Sequence, residues 1–349
     1  MLVVASDRHR GHAPLAEMES SGLQPPFEHP GRADAIHDTL STDNRFSVIE
    51  PTDWDATPIE AVHEPGLVRF LERAWADYQL RHPGTHDVVP DVFAMPGLVD
   101  GIGEFPTQSI VEHELGRWCF ETTTPITQGT YDAARSAVDI ALTATDAVLA
   151  GRTPAYGLCR PPGHHAPTGL YGGYCFFNNA AIAAHHVATT TGTKVTVLDV
   201  DYHHGNGTQQ IFYGRDDVQY VSLHGNPARA YPYVTGFADE RGAGPGVGAN
   251  LNLPLAAGTD DDEYLRAMEG AFEAISGFGP GFVIVSLGVD TFHNDPISDF
   301  AITTDGFRRQ GELVAELGLP TVVLQEGGYD VDAIGDNVRA WLLGMSAIS

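Results

Sequence analysis

The stretch "KVTVLDVDYHHGNG", Lys194–Gly207, changes character halfway along. Its first half is a near-continuous apolar run, Val195–Val200, the pattern of a strand buried on both faces. Such strands belong to parallel sheets, whose crossover connections place helices over both faces. Its second half gathers Asp199, Asp201, His203, His204 and Asn206 just past the strand's carboxyl end. In open parallel sheets that edge is where ligands bind.

The same alternation continues outward. "MLVVAS" reads as an opening strand and "PPFEHPGRADAIHDTL" as a Pro-rich loop entering a helix. "EPGLVRFLERAWADYQL" (Glu64–Leu80) is predicted helical, with Pro65 in the first turn, where a missing N–H costs little. "TYDAARSAVDIALTATDAVLAG" gives a helix from Thr130 that ends at Gly151. Strands "AYGLC", "VQYVSLH", "GFVIVSLGV" and "PTVVLQEGGY" then alternate with helices "FNNAAIAAHHVATTT", "GNGTQQIFY", "DDDEYLRAMEGAFEAISGF" and "TTDGFRRQGELVAELG". A helix from about Val331 closes the chain. The expectation is one α/β domain over residues 1–349, with a mostly parallel central sheet and helices on both faces. Between about Arg81 and Gly129 the texture breaks into Gly- and Pro-rich sequence with weak periodicity, expected to be a long loop insertion.

Composition narrows the partners. The formal net charge of −27 repels nucleic-acid phosphates and anionic membranes and favours cationic ligands. A solvated acidic surface explains that charge equally well. Three cysteines, Cys119, Cys159 and Cys175, form no CxxC pair, so neither a disulfide framework nor a thiolate metal site is expected. No apolar run is long enough to span a bilayer and no secretory leader is visible, so a reducing cytoplasm is the expected setting.

Four expected strand ends carry polar groups. His164 and His165 follow "AYGLC", Asp201 and His203 follow "KVTVL", Asp290 follows "FVIVSLGV", and Tyr329 closes "EGGY". Asp201, His203 and Asp290 are hard or borderline ligands suited to zinc or a similar divalent ion, and three protein ligands leave a position open. Two carboxylates offset the ion's charge, so a separate base and electrophile are needed. A histidine of the pair can be the base and the Tyr329 hydroxyl can donate to an oxyanion. Taken singly, Asp-x-His can be a turn device, Gly-Gly-Tyr a turn, and His-His an ordinary loop. The convergence of all four is what argues for a site.

Together, "RPPGHHA", "GGYCFFNN", "LDVDYHHGNGTQQIFY", "SLHG", "VSLGVDTFHNDP" and "EGGY" resemble the zinc-dependent histone deacetylase superfamily, and within it the bacterial acetylpolyamine amidohydrolases. The resemblance runs from "PPFEHPGRA" to the final helix. It implies one Zn2+ per subunit on Asp201, His203 and Asp290, with His164 and His165 as the tandem pair beside it. Asp199 would set the tautomer of His164. Asn206 stands where some members carry Asp, so His165 is held less strongly as imidazolium and is the preferred general base. Tyr329 would polarise the scissile carbonyl. Tyr174 and Tyr231, with Gly173, match the walls of the substrate tunnel. A K+ ion is implied beneath the zinc, on main-chain oxygens near Asp199, Asp201, His203 and Leu223 and on the Ser222 hydroxyl. The related two-manganese arginase pattern needs carboxylates where Gly205 and Gly288 stand.

The 81–129 insertion resembles a loop that builds a homodimer interface and narrows the tunnel mouth in the acetylpolyamine branch. Glu112 matches an acidic residue of that loop and would meet a distal ammonium of a small cationic acylated amine. A second acidic position of the branch falls near Thr123, with Glu121 two residues away. The other activity the resemblance allows is a deacetylase of lysine side chains or small acyl amides.

Overall fold

The run after Lys194 is buried from Val195 to Asp199, as a central strand must be. The computed structural model describes residues 1–104 and 110–346. The strands are β1 (Leu2–Val4), β2 (Glu17–Glu19), β3 (Gly22–Gln24), β4 (Ser47–Ile49), β5 (Ala155–Gly157), β6 (Val195–Asp199), β7 (Val218–Gly225), β8 (Asn250–Leu255), β9 (Phe282–Leu287) and β10 (Thr321–Gln325). The α-helices are α1 (Gly31–Ser41), α2 (Thr57–Glu60), α3 (Pro65–Arg81), α4 (Val111–Trp118), α5 (Thr130–Leu149), α6 (Asn179–Thr191), α7 (Asn206–Phe212), α8 (Asp261–Phe278), α9 (Thr304–Glu316) and α10 (Ile334–Ser346).

Eight strands form one sheet in the order β4-β1-β5-β10-β9-β6-β7-β8. Every neighbouring pair in it is parallel, so the expected "mostly parallel" sheet is wholly so among the described residues. β2 and β3 pair antiparallel in a separate ribbon. The period-2 alternation of side chains sends Val195 and Val197 to one face and Leu198 to the other. The first face packs on α3, α5 and α6 through residues such as Phe70, Ile140 and Ile182. The second packs on α1, α8, α9 and α10 through Ile36, Met268, Phe307 and Trp341. The helix boundaries follow local chemistry. Asn178, Asp260 and Thr303 cap α6, α8 and α9 by accepting from backbone N–H groups, and Gly192 and Gly279 end α6 and α8 in the left-handed conformation.

Several elements were not anticipated. β8 reads "NLNLPL", whose Asn and Pro suit a sheet edge but blur the strand pattern. β4 and the β2–β3 ribbon are three-residue strands, too short to show a period. The 81–129 insertion is not simply loop. It contains α4, which packs on α3 and is tied to it by Arg73 pairing with Glu114. Residues 105–109 of that insertion lie outside the described residues. All three cysteines are buried and unpaired by disulfides. No described helix is long and apolar enough to cross a membrane.

Candidate active site

The four strands expected to carry polar groups, β5, β10, β9 and β6, are consecutive neighbours in the middle of the sheet. Their carboxyl ends therefore form one floor. Parallel pairing sets Asp199 opposite Ser286 on one side and Ser222 on the other, which aligns the starts of the β6 and β9 loops.

Asp201, His203 and Asp290 meet there, with ligand atoms all within 4.8 Å of one another. His203 Nδ1 lies 2.9 Å from Asp290 Oδ2 and 3.3 Å from Asp201 Oδ1. The carboxylates are aimed by backbone donors. Asp201 accepts from His203 N and Gly327 N at 2.8 Å, and Asp290 from Tyr202 N at 2.8 Å. Both carboxyls are fully buried. Burial, then the neighbouring Asp201, pushes Asp290 up to about 7. Burial also opposes ionisation of Asp201, but His164 and His203 outweigh it and hold it below the ordinary range. Two carboxylates this close and this dry call for a cation between them. An O,O,N donor set fits one divalent ion.

The surroundings leave no room for a second set of carboxylates. A Cβ on Gly288 would fall 2.1 Å from Asp201 Oδ2, and one on Gly205 would fall 2.4 Å from Asp199 Oδ2. Gly327 packs as closely, with its would-be Cβ 2.5 Å from Asp290 Oδ2. These glycines are close-approach positions.

His164 and His165 are both buried, with ring centroids 4.0 Å apart, and they differ in their partners. His164 Nδ1 meets Asp199 Oδ2 at 3.1 Å, and its Nε2 lies 3.8 Å from Asp201 Oδ1. Burial opposes its charge, yet Asp201 and Asp199 raise it to about 10. His165 Nδ1 meets Asn206 Oδ1 at 2.7 Å, while Asn206 Nδ2 donates back to the His165 carbonyl at 3.2 Å. An amide oxygen only accepts, so the ring proton sits on Nδ1 and Nε2 keeps its lone pair. Burial, then the charges of His164 and His203, drives His165 well below its ordinary value. Adjacent residues with the same side chain thus have opposite protonation preferences.

A cavity of about 630 Å³ opens above this floor, with His165, Gly173, Tyr174, His203, Tyr231 and Tyr329 in its lining. The Tyr231 ring stands 4.9 Å from that of His165, and Tyr174 5.9 Å from Tyr329. A Cβ on Gly173 would come within 2.6 Å of the His165 ring, so the turn rests directly on it. Tyr329 is held by its N–H to Asp295 Oδ2 at 2.7 Å and by the Arg32 guanidinium 4.5 Å over its ring. Burial keeps its hydroxyl protonated, a donor at neutral pH. Ser222, expected at a potassium site, meets His224 Nδ1 at 2.7 Å. Glu112 is not in the cavity. It lies on α4, bound by Arg81 at 2.6 Å and His82 at 2.8 Å.

Several supports of the floor and walls have no place in the expectations drawn from sequence. Glu326 is fully buried after β10 and accepts from Gly163 N at 2.6 Å and His164 N at 3.1 Å, so it holds the His-His turn. The carboxylate in "QEGGY", directly after an apolar run, was its signal. Glu28 is buried between Arg160 and Arg32, with Oε1 2.7 Å from Arg160 Nε and 2.9 Å from Arg32 NH1. It ties "RPPGHHA" to α1. Glu17 in β2 accepts from the Tyr174 hydroxyl at 3.0 Å, and nothing local in "AEMES" announced that.

Residues 26–345 match the histone deacetylase domain. Over 339 residues the chain is 46% identical to acetylpolyamine amidohydrolase 1 of Pseudomonas aeruginosa, covering 97% of this chain and 96% of that protein. It is 39% identical to the acetylpolyamine amidohydrolase of Mycoplana ramosa, covering 99% of this chain and all of that one. The crystal structure of an acetylpolyamine aminohydrolase from Burkholderia pseudomallei superimposes with a TM-score of 0.93 at 38% identity, over 100% of this chain and 99% of that one.

Proposed function

Because this chain belongs to the histone deacetylase family, we propose that it is a metal-dependent amidohydrolase that removes acetyl groups from acetylated polyamines or similar small amines. The observation that carries this is the meeting of Asp201, His203 and Asp290 with a charge-separated histidine pair and a protonated tyrosine under one cavity. The full-length likeness to acetylpolyamine amidohydrolases supports the amine substrate.

Zinc is the ion that the buried O,O,N donors suit, and when bound it supplies Lewis-acid polarisation of the carbonyl and lowers the pKa of water. The chain's own groups do the rest. His165 Nε2 takes a proton from water as the water oxygen bonds to the acetyl carbon. The Tyr329 hydroxyl donates to the carbonyl oxygen as negative charge develops there. The C–N bond breaks, His165 returns the proton to the leaving nitrogen, and acetate and a free amine result. His164, hydrogen-bonded through Nδ1 to Asp199, is placed to stabilise the anionic centre. Tyr174 and Tyr231 grip the extended alkyl amide. A potassium ion on the main-chain oxygens of Asp199, Asp201, His203 and Leu223 and on Ser222 would brace the β6 and β7 ends.

The chain pairs as a homodimer through the insertion. Val92, Met95, Leu98, Ile102 and Ile110 are between 52% and 83% exposed along it, an apolar surface that a partner would cover. Since Glu112 lies outside its own chain's cavity, its role with a distal ammonium belongs to that dimer. The test is kcat/KM of the zinc-loaded protein on acetylputrescine, acetylcadaverine, acetylspermidine and an acetyl-lysine peptide. Preference for the free amines is expected. Preference for the peptide would make this a lysine deacetylase.

A further inference from the structure

The turn Gly172–Cys175 has an unusual backbone. Gly172, Gly173 and Tyr174 have successive φ values of 157°, 59° and 66°. Glycine adopts such angles freely, but a bulky aromatic residue does not. Something must hold Tyr174 there, and two carboxylates do so from different sides.

On one side stands Glu121. Its Oε1 accepts from Gly173 N at 2.9 Å and from the Thr124 hydroxyl, and Thr124 Oγ1 in turn accepts from Tyr174 N at 2.7 Å. Its carboxylate is therefore engaged with the turn. On the other side stands Glu17, 2% exposed, which reaches the far end of the ring through the Tyr174 hydroxyl. The β2–β3 ribbon delivers it, and that ribbon is tied to the Glu121 loop by Thr122 Oγ1 donating to Met18 O at 2.9 Å. Glu17 Oε2 is buried with no hydrogen-bond partner among the described residues. A dry, half-satisfied carboxylate is costly, as its rise to about 7 through burial reflects.

We propose that Glu17 is a positioning residue for amide hydrolysis: together with Glu121 it clamps the Gly172–Cys175 turn and fixes the Tyr174 ring as a wall of the substrate slot. This rests on the amidohydrolase reading. The floor residues lie outside the clamp, so loosening it acts on substrate grip more than on the chemical step. Because Gly173 rests on the His165 ring, the turn-side half of the clamp also bears on the base.

The test is a double-mutant cycle with zinc-loaded enzyme and acetylputrescine. Glu17→Ala and Tyr174→Phe each remove the same hydrogen bond. Each is expected to raise KM roughly tenfold with kcat within about threefold, and the double variant should be no worse than either. Glu17→Gln keeps an accepting oxygen and should stay within about threefold of wild type in kcat/KM. Additive effects in the cycle, or a Glu17→Gln variant as impaired as Glu17→Ala, would overturn the clamp. A crystal structure of Glu17→Ala decides independently of turnover: a displaced Tyr174 ring supports the clamp, and an unmoved ring refutes it. If wild type itself hydrolyses no acetylated amine, the amidohydrolase reading fails, and that structure still judges the clamp.

Discussion

The floor and the mouth of the cavity are built on different principles. On the floor, each reactive side chain follows the end of one of four adjacent buried strands, and backbone N–H groups aim the carboxylates. At the mouth, the walls come from the β2–β3 ribbon and from loops, and side chains such as Tyr233 are 59% exposed. A sheet fixes positions to fractions of an ångström, while loops carry variation. Chemistry is therefore placed where nothing can move, and selection where sequence can change cheaply. The His164–His165 pair repeats this in miniature. One ring faces buried carboxylates and stays charged, and the other faces an amide and stays neutral.

That contrast can be broken experimentally. Changes on the floor should hit kcat hardest. Tyr329→Phe removes only a hydroxyl and should lower kcat roughly 10²- to 10³-fold with little change in KM or thermal midpoint. A loss confined to KM would move Tyr329 from the chemistry to the walls. Glu326→Ala strips an acceptor from two buried N–H groups and should cost about 2–4 kcal/mol in urea unfolding, with kcat falling alongside. An unaltered unfolding midpoint would show that the His-His turn holds itself.

Acid sensitivity should trace to neutral buried histidines. Burial lowers His63 to about 4, and its Nε2 accepts from Asn178 N at 2.9 Å. The folded value lies below the ordinary 6.5, so the unfolded chain binds this proton first. Its contribution to stability is full above 6.5 and declines as the pH falls toward 4. His63→Gln keeps an acceptor, and between pH 6.5 and 5 it should lose about 1.5 kcal/mol less than wild type in urea titrations. Equal slopes for the two proteins would contradict the neutral-histidine origin.

The mouth should give the smallest and most substrate-dependent effects. Glu112→Ala is expected to raise KM three- to tenfold for acetylspermidine and to leave acetylputrescine nearly unchanged. Ile102→Asp, which puts a charge among the exposed apolar residues of the insertion, should dissociate the proposed dimer and produce the same KM change. If Ile102→Asp yields monomers whose KM for acetylspermidine is unchanged, Glu112 has no role in amine recognition across a dimer.

The floor was legible because its signals are local. "KVTVLDVDYHHGNG" states a buried strand and its ligands in one breath, and "FVIVSLGVD" and "VVLQEGGY" do the same. Those runs also revealed the sheet. The walls Gly173, Tyr174 and Tyr231 were legible through the resemblance, but the supports behind wall and floor were not, because their contacts are long-range: Glu17 lies far in sequence from Tyr174, and Glu28 from Arg160. Short strands such as β2 and β4 have no period to read, and α4 sat unread inside a Gly- and Pro-rich stretch. Glu112 is a different case: its resemblance points to substrate, and within one chain it pairs with Arg81 and His82.

The most direct measurement is acetate release from acetylputrescine as metal-free protein is titrated with zinc. Activity should rise linearly and level off at one equivalent per chain, and Asp290→Asn should abolish both tight zinc binding and the rise. Full activity without added metal, or a plateau only at two equivalents, would contradict a single-ion amidohydrolase built on Asp201, His203 and Asp290.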